Sequence, residues 1–294
     1  MYSRTIRMRS KLFVPGSRPE LFAKALASKA DAISLDLEDS VPESRKAEAR
    51  ALVATFQRSA ELRGSSKMII VRVNAPGTAH FEADLLAIAQ PGLALINLPK
   101  CESADQVRAA VTVLERAEAA NGVTKPVPIL ANIETPRGLR LAAEIAGAHS
   151  RVAGLQIGYL DLMEPLGVDR NDAANVHAVM FAVRMAAAEA GVLAYDGAFA
   201  DVKDTQGFRT EAEMARRLGF VGKSCIHPSQ VAAANEVFQP TREEFAWAQR
   251  IVEASRKASA AGSAVFMLEG RMIDSPAIRR AEAVIAVSRI PGPN

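Results

Sequence analysis

The chain lacks the marks of a disulfide-stapled, membrane-spanning or nucleic-acid-binding protein. It has two cysteines in 294 residues, Cys101 and Cys225, far apart and in no Cys-x-x-Cys. That spacing excludes a disulfide framework or a thiolate metal clip, and both read as buried, idle thiols. No stretch reaches the roughly 18 apolar residues of a membrane span. The basic start, Met1 to Arg9, is not followed by the apolar run of a secretory signal, so a cytoplasmic protein with no membrane partner is expected. A formal net charge of only +3 is too small to suggest nucleic acid, but it fits mild attraction of anionic metabolites. Aromatic residues are scarce, at 5% with a single Trp, against 49% hydrophobic residues overall. The core must therefore be mainly aliphatic, and the length allows one large domain with an appendage.

What is present is a repeat of pattern. Short, nearly continuous apolar runs recur at 11–15, 32–37, 68–73, 94–98, 127–133, 152–157, 193–199 and 222–226, separated by amphipathic, Ala-rich stretches. Continuous rather than alternating runs are what parallel strands covered on both faces require. Helix-start signals fall between them: Ser17-Arg-Pro-Glu20, Ser103-Ala-Asp-Gln106 and Thr210-Glu-Ala-Glu213 have capping-box spacing, and Thr135-Pro136 sets a cap before a first-turn proline. Strand then helix, eight times, predicts an α/β fold, a TIM (β/α)8 barrel over 1–237. An open doubly wound sheet is the rival, weakened because no Gly-x-Gly-x-x-Gly follows the first run. Residues 238–294 exceed what barrel closure needs. A further capping box at Thr241–Glu244, a helix to about residue 257, a short apolar segment 264–268 and a last helix make a C-terminal helical arm, packing on the barrel or on a neighbouring subunit.

Active sites of such barrels lie at the C-terminal ends of the strands. There the chain places Asp36, Glu38 and Asp39, then Arg72, Lys100, Glu134, Asp161, Asp196 and His227. Carboxylates emerging from apolar runs are costly to bury unless paired or bound to a cation. Glu134 and Asp161, on adjacent strands, can jointly hold a hard divalent ion such as Mg2+. Arg72 and Lys100, across the ring, suit carboxylate or thioester oxygens. Residue types and spacing alone support a metal-assisted enzyme on a barrel. Asp31 and Glu43 read as surface ion pairs, and His80, His149 and His177 as surface or capping residues. His227 reads as structural, and Met180, Phe181 and Met185 as core.

At these positions the chain resembles the citrate lyase β-subunit-like family, which includes malyl-CoA and citramalyl-CoA lyases within the HpcH/HpaI aldolases. The matching segments are Arg9-Ser-Lys-Leu-Phe-Val-Pro-Gly16, Asp36-Leu-Glu-Asp-Ser-Val41, Arg72-Val-Asn74 and Ile133-Glu-Thr135. Gly158-x-x-Asp161, Gly219-Phe-Val-Gly-Lys-Ser-Cys-Ile-His-Pro-Ser-Gln230 and Met272-Ile-Asp-Ser-Pro276 complete the set. They run in family order over nearly the whole chain. The resemblance implies a lyase that cleaves a carboxylated 3-hydroxyacyl-CoA to acetyl-CoA and a keto acid. It implies Mg2+ on Glu134 and Asp161, with Glu38 and Asp39 holding metal-bound waters and Asp36 standing behind the ligands with them. Arg72 would bind substrate and stabilise an enolate, and Asp274 would be the acid/base, supplied by the arm of a neighbouring subunit. A homo-oligomer, trimer or hexamer, follows. Lys100 and the basic N-terminal strand would lie on the CoA side.

The segment Tyr159-Leu-Asp-Leu-Met-Glu-Pro-Leu-Gly167 departs from the family around its Asp, which leaves the acyl group open. Three other functions stay open as well: a citrate lyase β subunit acting on a carrier-protein thioester, a thioester hydrolase, and a barrel that has lost chemistry and serves as a scaffold.

Overall fold

The apolar runs become eight parallel strands in the computed structural model, which describes residues 8–260 and 262–288. They are β1 Ser10–Pro15, β2 Ala32–Asp36, β3 Met68–Arg72, β4 Leu95–Leu98, β5 Ile129–Ile133, β6 Val152–Ile157, β7 Leu193–Tyr195 and β8 Lys223–Cys225. Their order is β7-β6-β5-β4-β3-β2-β1-β8. The last gap is spanned by one parallel bridge, Asp196 to Lys223. Asp196 N donates to Gly222 O at 2.9 Å and Ser224 N to Asp196 O at 3.0 Å. The sheet thus returns on itself as a TIM barrel, and the open sheet is excluded because β8 pairs with β1 on one side and is bridged to the end of β7 on the other. Strands β2, β4, β5 and β6 are buried along their whole length, as strands covered on both faces must be.

One buried cluster gathers Met8, Ala32, Ile70, Leu95, Leu130, Ala153 and Tyr195, with Met68, Leu193 and Val221 against it. Contributions from so many strands to one cluster identify it as the filled interior of the barrel.

Two start signals hold as read. Ser103 accepts from Gln106 N at 3.2 Å at the start of helix Ala104–Ala120. Thr135 accepts from Gly138 N at 3.0 Å ahead of helix Pro136–Arg140. Two do not. Ser17 caps nothing; the short 3-10 turn Pro19–Leu21 follows Arg18 without a side-chain cap. Thr210 lies inside helix Thr205–Arg217, whose cap is Asp204, accepting from Gly207 N at 2.8 Å. Helix Ala173–Glu189 buries Val176, Met180, Val183 and Ala187. Phe181 and Met185 are exposed, at 50% and 46%, which corrects the reading of both as core. They lie one and two positions beyond the 3.6-residue repeat of the buried face, with Phe181 stacked on the His177 ring.

A second compact unit begins near residue 237. Thr241 and Glu244 form the expected reciprocal box, Thr241 N donating to Glu244 at 2.8 Å and Glu244 N to Thr241 Oγ1 at 3.1 Å. Helix Arg242–Ala260 follows, then a hairpin of β9 Phe266–Leu268 and β10 Arg271–Ile273, then helix Ser275–Ser288. Ala248, Ile251, Ile273 and Ala281 form its core, with Trp247 packed against them. Among the described residues no helix is long and apolar enough to cross a membrane.

Candidate active site

Register brings the first charged pair together. Asp36 and Arg72 are aligned neighbours at the ends of β2 and β3. Arg72 Nε and Nη2 grip the two Asp36 oxygens at 2.6 and 2.7 Å, the fork geometry that carboxylate and guanidinium share. Arg72 Nη1 also lies 2.9 Å from Glu38 and 3.3 Å from Asp39. Asp36 in turn accepts from Glu38 N at 3.0 Å and Ser40 N at 3.1 Å, so it fixes the turn that follows β2.

Lys100 stands just beyond β4 with φ of 50°, left-handed backbone that a side chain rarely adopts and that clusters at functional sites. The turn aims its amide at Glu134 Oε1, 2.6 Å away. Its ammonium lies 2.9 Å from Glu38, 3.2 Å from Asp39 and 3.9 Å from Asp161. Glu134, at the end of β5, is 2% exposed and rests against Gly158, where any Cβ would overlap its carboxylate. Asp161 follows three residues later in helix Tyr159–Met163, with 40% of its side chain exposed.

Beneath this rim lies a polar layer that the sequence reading missed. Lys11 Nζ donates to Asn97 Oδ1 at 2.7 Å and to Gln156. Asn97 Nδ2 donates to Asn132 Oδ1 at 2.6 Å, and Asn132 Nδ2 to Glu134 Oε2 at 3.3 Å. A buried lysine is thus wired to Glu134 through two side-chain amides. The basic N-terminal strand was expected on the CoA side, and the structure corrects this. Lys11 is 2% exposed, and Arg9, ahead of β1 at the opposite end of the barrel, pairs with Asp31 at 2.7 Å. The rest of that basic stretch, residues 1–7, lies outside the described residues.

Five carboxylates, Asp36, Glu38, Asp39, Glu134 and Asp161, share this rim with the cations Arg72 and Lys100. The imbalance displaces the carboxyl pKa values. Burial, aided by Asp39 and Glu134, pushes Glu38 up to about 8 despite Arg72 and Lys100. Burial and the Asp161 charge also raise Glu134, against its contacts with Lys100 N and Arg72. Asp36 is buried too, but the Arg72 guanidinium overcomes that and holds it below the usual range. Burial and Arg72 push Lys11 well down. Glu38 keeps both oxygens buried without an aligned hydrogen bond; its contacts to Arg72 and Lys100 are ion pairs of indifferent geometry.

This excess of negative charge fits a divalent cation. Among the described residues no three His, Cys, Asp or Glu side chains converge as a metal cage. Two carboxylates on a half-open rim are instead the donor set of Mg2+, which retains waters and takes substrate oxygens.

The remaining candidates lie elsewhere. Asp274 belongs to the second unit, where its Oδ1 accepts from Ala277 N at 3.1 Å and starts the last helix. His227 is exposed, its Nδ1 taking Ser229 N at 3.2 Å at the start of helix Pro228–Val237, a structural role. Glu43 pairs with His80 at 2.6 Å. Cys101 and Cys225 are fully buried; burial raises both thiols, Cys225 to about 12. Asp196 is buried in a separate charged cluster with Lys223, Glu211 and Tyr159.

Comparison with known proteins gives concordant matches. A family model described as HpcH/HpaI aldolase/citrate lyase matches residues 9–228. An L-malyl-CoA/beta-methylmalyl-CoA lyase of Cereibacter sphaeroides is 35% identical over 298 residues, covering 94% of this chain and 93% of that protein. A citrate lyase subunit beta-like protein of Mycobacterium tuberculosis is 38% identical over 280 residues, with 93% of each covered. The crystal structure of CitE from Mycobacterium tuberculosis in complex with magnesium, acetoacetate and coenzyme A superposes with a TM-score of 0.75 at 35% identity. That match covers 97% of this chain and 99% of CitE.

Proposed function

The chain belongs to the HpcH/HpaI aldolase/citrate lyase family, and from that premise we propose that it is a Mg2+-dependent CoA-ester lyase. It would cleave the C–C bond of a carboxylated 3-hydroxyacyl-CoA by retro-aldol chemistry, giving a short acyl-CoA and a keto acid. The observation that carries this reading is the surplus of carboxylate at one rim, with Glu134 and Asp161 beside Arg72 and Lys100. The relatives' names and the magnesium and coenzyme A bound to CitE support it.

Glu134 and Asp161 would hold the ion and Glu38 and Asp39 its waters, while Asp36, whose oxygens are taken by Arg72 and the amides of Glu38 and Ser40, would hold the arginine behind them. Bound there, Mg2+ supplies Lewis acidity that lowers the pKa of the substrate hydroxyl. Arg72, fixed by Asp36, presents a permanent positive charge to the carboxylate end of the substrate and to the enolate oxygen that develops on cleavage. Lys100, at the open side of the rim, meets the thioester end. Asp274, from the C-terminal arm of a neighbouring copy in a trimer or hexamer, gives its proton to the enolate carbon; in the condensation direction it takes that proton back. Tyr159 is not a specificity residue in this reading, since its side chain is buried.

The test is direct. Purified protein is incubated with malyl-CoA, citramalyl-CoA, citryl-CoA and 3-hydroxy-3-methylglutaryl-CoA, with Mg2+ or with EDTA, and products are identified by mass spectrometry. Expected is an acyl-CoA plus a keto acid from at least one of them, lost with EDTA. Free hydroxy acid would mean a thioester hydrolase, and no metal-dependent cleavage would sink the reading. The 38% identity to a citrate lyase subunit beta-like protein favours a second reading, a subunit acting on a carrier-protein thioester. Co-purification with carrier and transferase subunits would identify it.

A further inference from the structure

Next to the proposed metal site lies a cluster of charges that the proposed reaction does not use. Lys223 Nζ is 2.6 Å from Asp196 Oδ2 and 2.7 Å from Glu211 Oε1, and donates to Gly197 O at 3.0 Å. Arg170 grips both Glu211 oxygens at 2.7 and 2.8 Å. Two acids and two bases balance, and Asp196, Lys223 and Glu211 are all buried. Removing three charges from water, with a fourth half-buried beside them, is expensive, and such a group is weak evidence of stabilisation in itself. Its geometry suggests another use.

Both ends of one loop are tied to it. Tyr159 donates its hydroxyl to Asp196 Oδ1 at 2.7 Å. Arg170, eleven residues on, lays its guanidinium over the Tyr159 ring with 4.1 Å from Cζ to the centroid. The stretch between, helix Tyr159–Met163, the 3-10 turn Glu164–Leu166 and left-handed Gly167, is thereby closed at its neck. Gly197 makes room for the closure: a Cβ there would lie 2.7 Å from Tyr159 Cδ2 and 2.6 Å from Ile157 O. Past the neck the loop is exposed at Leu160, 47%, and Leu166, 57%, but buried at Leu162 and Met163, and Asp161 sits two residues from the tyrosine. The Asp161 carboxylate itself has Lys100 3.9 Å away, so its place depends on the backbone that carries it, which Tyr159 holds together with the buried Leu162 and Met163.

We infer that Tyr159 is a positioning residue for the metal site: its hydroxyl bond to Asp196 and its stack under Arg170 hold the loop that carries Asp161 against the rim. This rests on the proposed Mg2+ role of Glu134 and Asp161. A hydrogen bond to a charged group, lost from a support of a metal ligand, is expected to weaken the ion's binding at least about tenfold.

The experiment measures Mg2+ binding by calorimetry, and Mn2+ binding by electron paramagnetic resonance, on the full-length protein without substrate. Tyr159→Phe should bind either ion about tenfold more weakly or worse, and saturating Mg2+ should restore kcat to near that of the unaltered protein. Arg170→Lys keeps the charge but loses the fork and the flat stack, and should shift affinity the same way; it decides the matter if Tyr159→Phe does not fold. Arg209→Ala, which breaks an exposed pair with Glu236, controls for general loss of stability and should leave affinity unchanged. Unaltered metal affinity in folded Tyr159→Phe overturns the inference, as does an equal loss in Arg209→Ala. Glu134→Gln separates the two layers of argument. If it abolishes binding while Tyr159→Phe does not weaken it, only the positioning role fails. If Glu134→Gln binds normally, the metal assignment and the inference built on it fall together.

Discussion

Gly158 has no room for a side chain, because a Cβ would lie 2.5 Å from Glu134 Cβ and overlap its carboxylate. Gly158→Ala must therefore displace Glu134 or the backbone that leads to Asp161. Displacing a support of a metal ligand commonly costs about 10–100-fold in affinity, and calorimetric titration of the variant with Mg2+ should find a loss of that size. Glu38 makes a different prediction. Its pKa rises from 4.5 unfolded to about 8 folded, so between those values the native state holds a proton that the unfolded chain has released. Stability then falls as pH climbs through that window. Urea unfolding in EDTA should give a higher midpoint at pH 5 than at pH 8, with Glu38→Gln removing much of the difference. Added Mg2+, which favours the ionised carboxylates, should flatten the slope from the alkaline end. Midpoints that rise with pH would refute the assignment. The residue types at this rim were legible because almost every apolar run delivers a charge at or near its end. Lys11 was not, since a lysine one residue into a strand reads as a surface residue until closure turns it inward.

At the scale of elements, strand positions were legible because parallel strands must be apolar on both faces, and that pattern is local. Helix starts were legible only where the cap met no competitor. Ser103 and Thr135 had none. Thr210 had the right spacing to Glu213, but Asp204 lies earlier and its carboxylate takes Gly207 N, so the helix begins six residues sooner. Asp204→Ala should cost about 1 kcal/mol of stability, the usual worth of a cap, and Thr210→Ala much less. Thermal melts of the two variants separate the assignments, and an equal or reversed effect would contradict the structure. The cluster of Tyr159, Arg170, Asp196, Glu211 and Lys223 draws on several separate elements. No spacing along the chain encodes it; only β7 meeting β8 brings Asp196 to Lys223.

The whole molecule divides into a barrel and a smaller unit with its own core. Within that smaller unit Asp274 has a local task, capping the last helix, which by itself would explain its presence. The proposed catalytic role in a neighbouring copy is separable from it by mixing. Asp274→Ala and Glu134→Gln should each be inactive alone. Unfolded together and refolded, they should regain part of the activity, because some barrels with an intact metal site would meet an intact arm. No recovery from a refolded mixture would mean that Asp274 does not serve the barrel of a neighbouring copy.

The barrel's closing seam carries one more consequence. β1 and β2 share five aligned pairs, whereas β7 and β8 meet through a single bridge between Asp196 and Lys223. The residues of that bridge also form a buried ion pair, so the backbone closure and the charge pairing stand or fall as one event. Local opening should begin there, and the amide hydrogens of Val221 and Ser224 should exchange with deuterium sooner than those of β2. The cylinder would come apart as a zipper with a weak last tooth, and the tooth is made of charge.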